Sequence, residues 1–207
     1  MKPAIIALAL FASGMTVLAK DHLIPERGVF TQDEGYHIKV RELLAEAFDG
    51  DIVLQAVFLP SFQPEGIAGI RKTENGFEAF ASRPSYHIAG KIGAAQLKQE
   101  TPPDFHDLTV QTKTRAISAA LTERIRRAWQ DMVLNARFPK SPRRGTDGMD
   151  VHFSIWVSGH GYVGAQIWSP ERGKAAALED LAEVLGDYAE AKADEKKLGK
   201  AVRPLER

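Results

Sequence analysis

Apolar residues recur along this chain with two different periods, and the alternation between them outlines the elements of a fold. After Ser118, the positions Leu121, Ile125, Ala128, Trp129, Met132, Val133 and Ala136 follow one another at steps of three, four or one. That spacing lays a single apolar stripe along a helix over 118–137, with Ser118 at its cap and Pro139 beyond its end. A second stripe, Leu178, Leu181, Ala182, Leu185, Tyr188 and Ala189, predicts a final helix over 174–189, with Ser169 as cap and Pro170 near the first turn. Tyr36 to Phe48 carries Ile38, Leu43, Leu44 and Ala47 at helical spacing and stops at Asp49 and Gly50, which suits a third helix.

Elsewhere the period is two or the run is continuous. Ile52 to Leu59 is almost wholly apolar and rich in β-branched residues, as a central strand covered on both faces requires. Ile67–Lys72 and Phe77–Ser82 flank Asn75 and Gly76, a pair that favours a tight hairpin turn because both positions tolerate positive φ. Thr109 to Arg115 alternates Val110, Thr112 and Thr114 with Gln111, Lys113 and Arg115, the pattern of a half-exposed strand. In a second hairpin, Val151, Phe153, Ile155 and Val157 share one face of the first strand, and Val163, Ala165 and Ile167 one face of the second. A three-residue loop of Gly159, His160 and Gly161 sets Val157 opposite Val163 and keeps those faces together. It also sets His152 opposite Trp168, Ser154 opposite Gln166 and Trp156 opposite Gly164. These elements predict an α+β fold: an antiparallel or mixed sheet of about five to six strands, including two hairpins, with two or three helices packed on it. Residues 20–35 read as a loose lead-in, 36–189 as one domain and 190–207 as a charged tail that frays, while 86–103 supports no assignment.

The first nineteen residues stand outside this pattern. Lys2, the apolar run Ala4 to Phe11, and Val17, Leu18 and Ala19 have the order of a signal peptide cleaved near Ala19, so a periplasmic or secreted protein is expected. The run falls short of the roughly 20 apolar residues that span a bilayer, and no transmembrane helix is expected in the mature chain. The sequence contains no cysteine, which leaves stability to core packing and rules out disulfides and thiolate metal sites. Its 27 basic and 27 acidic residues balance, which argues against nucleic acid as a partner. The six histidines show no HExxH or other ligand spacing, and neither a metal nor a cofactor is expected.

From about Leu108 to Tyr188 the pattern resembles one found in uncharacterised exported bacterial proteins. It rests on Leu121, Trp129, Met132, Arg137, Phe138 and Pro139, then Asp147, Gly148, His152, Phe153 and Ser154, then Gly164, Trp168, Ser169 and Pro170. The resemblance implies compartment and fold and carries no activity.

Chemistry-bearing motifs are sparse. Gly159, Gly161 and Gly164 satisfy GxGxxG, but an apolar strand follows them where a dinucleotide site needs a helix, so a hairpin explains them. Asp104, His106 and Asp107 could orient a general base, yet they sit among turn-formers beside Pro102 and Pro103. Between 123 and 144, Arg124, Arg126, Arg127, Arg137, Lys140, Arg143 and Arg144 face only Glu123 and Asp131. Of these, Arg137, Lys140, Arg143 and Arg144 make a candidate patch for an anionic envelope surface. The candidate partner-binding face is the aromatic and polar side of the second hairpin: His152, Trp156, Tyr162, Gln166 and Trp168. Rings flanked by hydrogen-bonding groups suit a protein, peptide or glycan partner. The expectation is therefore a non-enzymatic exported binding protein. The alternative is an exported hydrolase or other enzyme working with histidine and carboxylate groups.

Overall fold

The computed structural model describes residues 22–27, 30, 35–98, 103–139 and 147–206. Along the chain come β1 (Ile24–Glu26), α1 (Gly35–Leu43), β2 (Asp51–Pro60), β3 (Gly66–Thr73), β4 (Gly76–Pro84), α2 (Ile88–Leu97) and β5 (Val110–Ile117). They are followed by α3 (Ala119–Leu134), β6 (Met149–Val157), β7 (Gly161–Trp168), α4 (Gly173–Ala189) and α5 (Glu195–Val202). Short 3-10 turns follow α1 at Ala45–Phe48 and α5 at Arg203–Leu205.

The strands form one antiparallel sheet in the order β1-β7-β6-β2-β3-β4-β5. The apolar β2 is therefore fourth of seven, as its unbroken hydrophobic run demands. A bulge at Val53 shifts its register, so that Ile52 packs on one side of the sheet and Leu54 on the other. On one face α3 covers β6, β7 and β2 and α4 covers β3, β4 and β5, with α5 against both helices. Trp129 is fully buried there, edge-on to Phe153 with ring centroids 5.4 Å apart, and Ile125 and Met132 lie buried beside it. The opposite face carries a smaller apolar cluster supplied by Phe30, α1, its 3-10 turn and α2.

The α+β class and the antiparallel sheet agree with the sequence pattern, but the described residues hold seven strands and five helices where five to six and two or three were expected. Three segments account for the difference. Part of the lead-in pairs with β7 as β1, Ile24 against Gln166 and Glu26 against Gly164. The unassigned stretch after Tyr86 contains α2. The tail does not fray as one segment, because Leu198, Val202 and Leu205 recur at helical spacing and are buried in the main core. Asp194 caps α5 by accepting from the Lys197 N–H at 2.7 Å, and Glu206 accepts two bonds from Arg124.

Local details also differ. Thr73 pairs with Gly76, so the first hairpin turns on Glu74 and Asn75, and Gly76 alone takes a positive φ, of 125°. Ser118 stands at the start of α3 but makes no side-chain cap; its N–H and hydroxyl both donate to Glu195. Ser169 does not cap α4, which begins at Gly173; its Oγ accepts from the Met149 N–H and ties the outer ends of β6 and β7.

Candidate functional site

The hairpin β6–β7 keeps the two faces read from the sequence but closes two residues out of the expected register. Val157 pairs with Gly161, and the loop is Ser158, Gly159 and His160. The His160 N–H donates to the Val157 carbonyl at 3.0 Å across a turn whose third residue, Gly159, has φ 80°. Glycine at that place and at Gly161, also at φ 80°, lets the strands reverse one residue sooner than alternation of side chains alone suggests. Trp156 is consequently opposite Tyr162, and His152 is opposite Gln166. Trp168 is opposite Asp150.

This register brings the two rings of Trp156 and Tyr162 together, edge to face with centroids 5.1 Å apart. The Tyr162 hydroxyl donates to the Ile52 carbonyl beside the β2 bulge at 2.9 Å, so the tyrosine is pinned and supports the indole. Trp156 keeps 51% of its surface exposed on that support. Tyr162, Gln166 and Trp168 are half-buried. His152, by contrast, is 3% exposed and does not belong to an open surface. Its Nδ1 lies 2.9 Å from Glu26 of β1, and its ring meets the edges of Phe30 and His37 at 4.9 and 5.6 Å. The predicted face is therefore divided: closed at His152 by β1 and α1, open at Trp156.

A second polar cluster was missed by the sequence reading. Glu65, fully buried at the mouth of β3, accepts from the Tyr36 hydroxyl at 2.7 Å and from the Ile88 and Ala89 N–H groups at 2.8 and 2.9 Å. It thereby serves the first turn of α2, where backbone N–H groups lack partners and favour a negative charge. His87 Nε2 lies 3.8 Å away. Burial, then the bond to Glu65, holds the Tyr36 hydroxyl well above its ordinary pKa, so it acts as a donor throughout the physiological range. Gln55, on the same face of β2 and paired with Ser154, is also buried. An acidic residue between Pro64 and Gly66 was the sequence signal, but its partners lie 23 to 29 residues away.

The remaining candidates separate in space. Asp104 and His106 bond to each other at 2.6 Å on an exposed loop, while Asp107 pairs with Lys91 at 2.6 Å. That lysine holds the Asp107 carboxyl below the usual range, with the Tyr86 hydroxyl assisting. Arg126 and Arg127 both donate to Glu123, whose pKa falls to about 2 through these bonds. With Arg124 held by Glu206, the apparent basic surplus of α3 is largely neutralised. Arg137 is exposed after α3, whereas Lys140, Arg143 and Arg144 lie outside the described residues, as does the segment 1–19. Among the described residues no three histidines or carboxylates are grouped to hold a metal ion, and no helix is long and apolar enough to cross a membrane.

No protein-family model, no curated protein and no solved structure matches the chain.

Proposed function

We propose that this is an exported, non-enzymatic binding protein that holds a protein, peptide or glycan of the cell envelope against the Trp156–Tyr162 end of the β6–β7 hairpin. One observation carries the reading: a large aromatic half open to solvent on a ring that is itself fixed by a hydrogen bond to β2, on the far side of β6. Ring area presented without conformational freedom costs little entropy on binding, and tryptophan is the residue type most often found at the centre of binding energy. The order of residues in 1–19 supports export. The exposed Arg137 and the basic residues after it favour an auxiliary contact with an anionic envelope surface.

The test is a photo-reactive amino acid placed at position 156 of the full chain in living cells, with the still more exposed Leu97 position as control. A discrete adduct from 156 that is absent from 97 supports the proposal; indistinguishable patterns at the two positions defeat it. A hydrolase is the second reading, favoured by the buried Glu26–His152 pair, in which a carboxylate orients an imidazole as it does beside a general base. Burial beneath Phe30 and His37 suits a latch for β1 better than a reaction centre. Ester hydrolysis by the purified protein that disappears in His152→Gln with the fold intact would favour the enzyme.

A further inference from the structure

A groove of about 230 Å3 opens between α4 and the sheet. It lies on the face opposite Trp156 and at the other end of β6, marked by Met149. Seven residue steps along the strand separate Met149 from Trp156, roughly 23 Å at the usual rise. We infer that this groove is a second binding site, which takes the lysine or arginine side chain of a basic peptide segment.

The groove follows from residue size. Ala182 and Gly186 let α4 approach the sheet closely, and a Cβ on Gly186 would stand 3.4 Å from that of Ala68. Beyond this contact Phe58 and Met149 form an apolar floor, and Pro60, Gln63 and Pro64 an end wall. The wall is fixed because the Ser61 N–H and hydroxyl both donate to the Gly148 carbonyl, at 2.9 and 3.0 Å. The volume lies below the range of about 300 to 1,000 Å3 usual for small-molecule pockets, and suits one long side chain.

Charge selects which side chain. Glu183 and Asp187 stand one turn apart on the α4 rim, and Asp187 is met by Lys197 at 3.2 Å. Arg83, the cation among the lining residues, is drawn to Glu190 at 2.7 Å. Glu183 is left as the rim carboxylate without a hydrogen-bonding cation among the described residues, and partial desolvation of its carboxyl with Asp180 and Asp187 nearby pushes its pKa up against the opposing charge of Arg83. With Arg83 bonded to Glu190, a further cation relieves the repulsion that Arg83 leaves unbalanced, whereas an anion would add to it. Lysine and arginine meet both demands of the groove, their methylene stems lying on Phe58 and Met149 and their charged heads reaching Glu183. Phe62, 76% exposed next to Gln63, offers an apolar contact for a neighbouring residue of the same segment.

Fluorescence anisotropy of the mature chain with a labelled decapeptide carrying Lys and Arg between Ser and Leu is the experiment, with an acidic counterpart as control. Saturable binding of the basic peptide alone is expected, weakened at least tenfold by Glu183→Lys and less by Glu183→Gln. Glu46→Gln, on the other face, and Trp156→Ala should leave it unchanged, which keeps this site separable from the hairpin site. Glu183 is exposed, so these variants should fold, and circular dichroism checks that they do. Equal binding by Glu183→Lys and wild type, equal binding of the two peptides, or no binding of the basic peptide would each overturn the inference.

Discussion

The two faces of the sheet are built on different principles. Among the described residues beneath α3, α4 and α5 the buried side chains are apolar almost without exception, Trp129, Phe153 and Leu181 among them, with Thr122 of α3 the buried polar residue. Beneath α1 and α2 the apolar cluster is smaller and shares its space with buried Gln55, Glu65, Ser82, His152 and Ser154. The first face is held by area removed from water, which is indifferent to direction. The second depends on directed contacts, Glu26 to His152 and Glu65 to Tyr36 and α2, and each such contact is costly to leave half-made. The open aromatic pair lies on the second face, at the margin of its cover. A face assembled from specific contacts over a rigid apolar scaffold can leave part of itself open without endangering the fold.

The largest effect expected from breaking this arrangement is on the scaffold side. Trp129→Ala should cost about 3 to 5 kcal/mol, as large-to-small changes in a packed core do, and Gln130→Ala well under 1. Urea denaturation measures both; equal shifts of the midpoint would mean that the helix face is assigned wrongly. On the polar side, Glu65→Ala strands the Tyr36 hydroxyl and two α2 N–H groups. It should cost about 2 to 3 kcal/mol. Hydrogen exchange at Ile88 and Ala89 should quicken more than exchange in α3; uniform loss across the molecule would show that Glu65 does not act through α2.

Trp156→Ala should change stability by no more than about 1 kcal/mol, since the side chain is half exposed. A loss of several kcal/mol would place it within the core and remove it as a binding residue. The smallest effect is a slope with pH. Burial, then Glu183 and Asp180, pushes Glu179 of α4 up to about 7 from 4.5. Between those values the folded chain binds more protons than the unfolded one, so this group's contribution to stability falls as pH rises through that window. Glu179→Gln should flatten the decline between pH 5 and 8, and an unchanged slope would show that the carboxyl is not desolvated.

The same contrast explains what could be read from the chain beforehand. The stripes of α3 and α4, the apolar run of β2 and the faces of β6 and β7 are local periodicities, legible because every burying residue lies within a few positions of the next. Leu198, Val202 and Leu205 have the same period but only three members in a charged segment, and their burial depends on the space beside α3 and α4. The polar face was not legible, because Glu26 meets His152 across 126 residues and Glu65 meets Tyr36 across 29. The hairpin register failed for a smaller reason: alternation fixes faces modulo two residues, and the position of the glycines in the turn decides between registers two apart.

Collisional quenching of single-tryptophan variants, with phenylalanine at the other two tryptophan positions, tests most directly the claim that one face is sealed and the other left open. Acrylamide should quench Trp156 at a rate approaching that of a free indole and leave Trp129 strongly protected. Similar protection of the two would contradict the account.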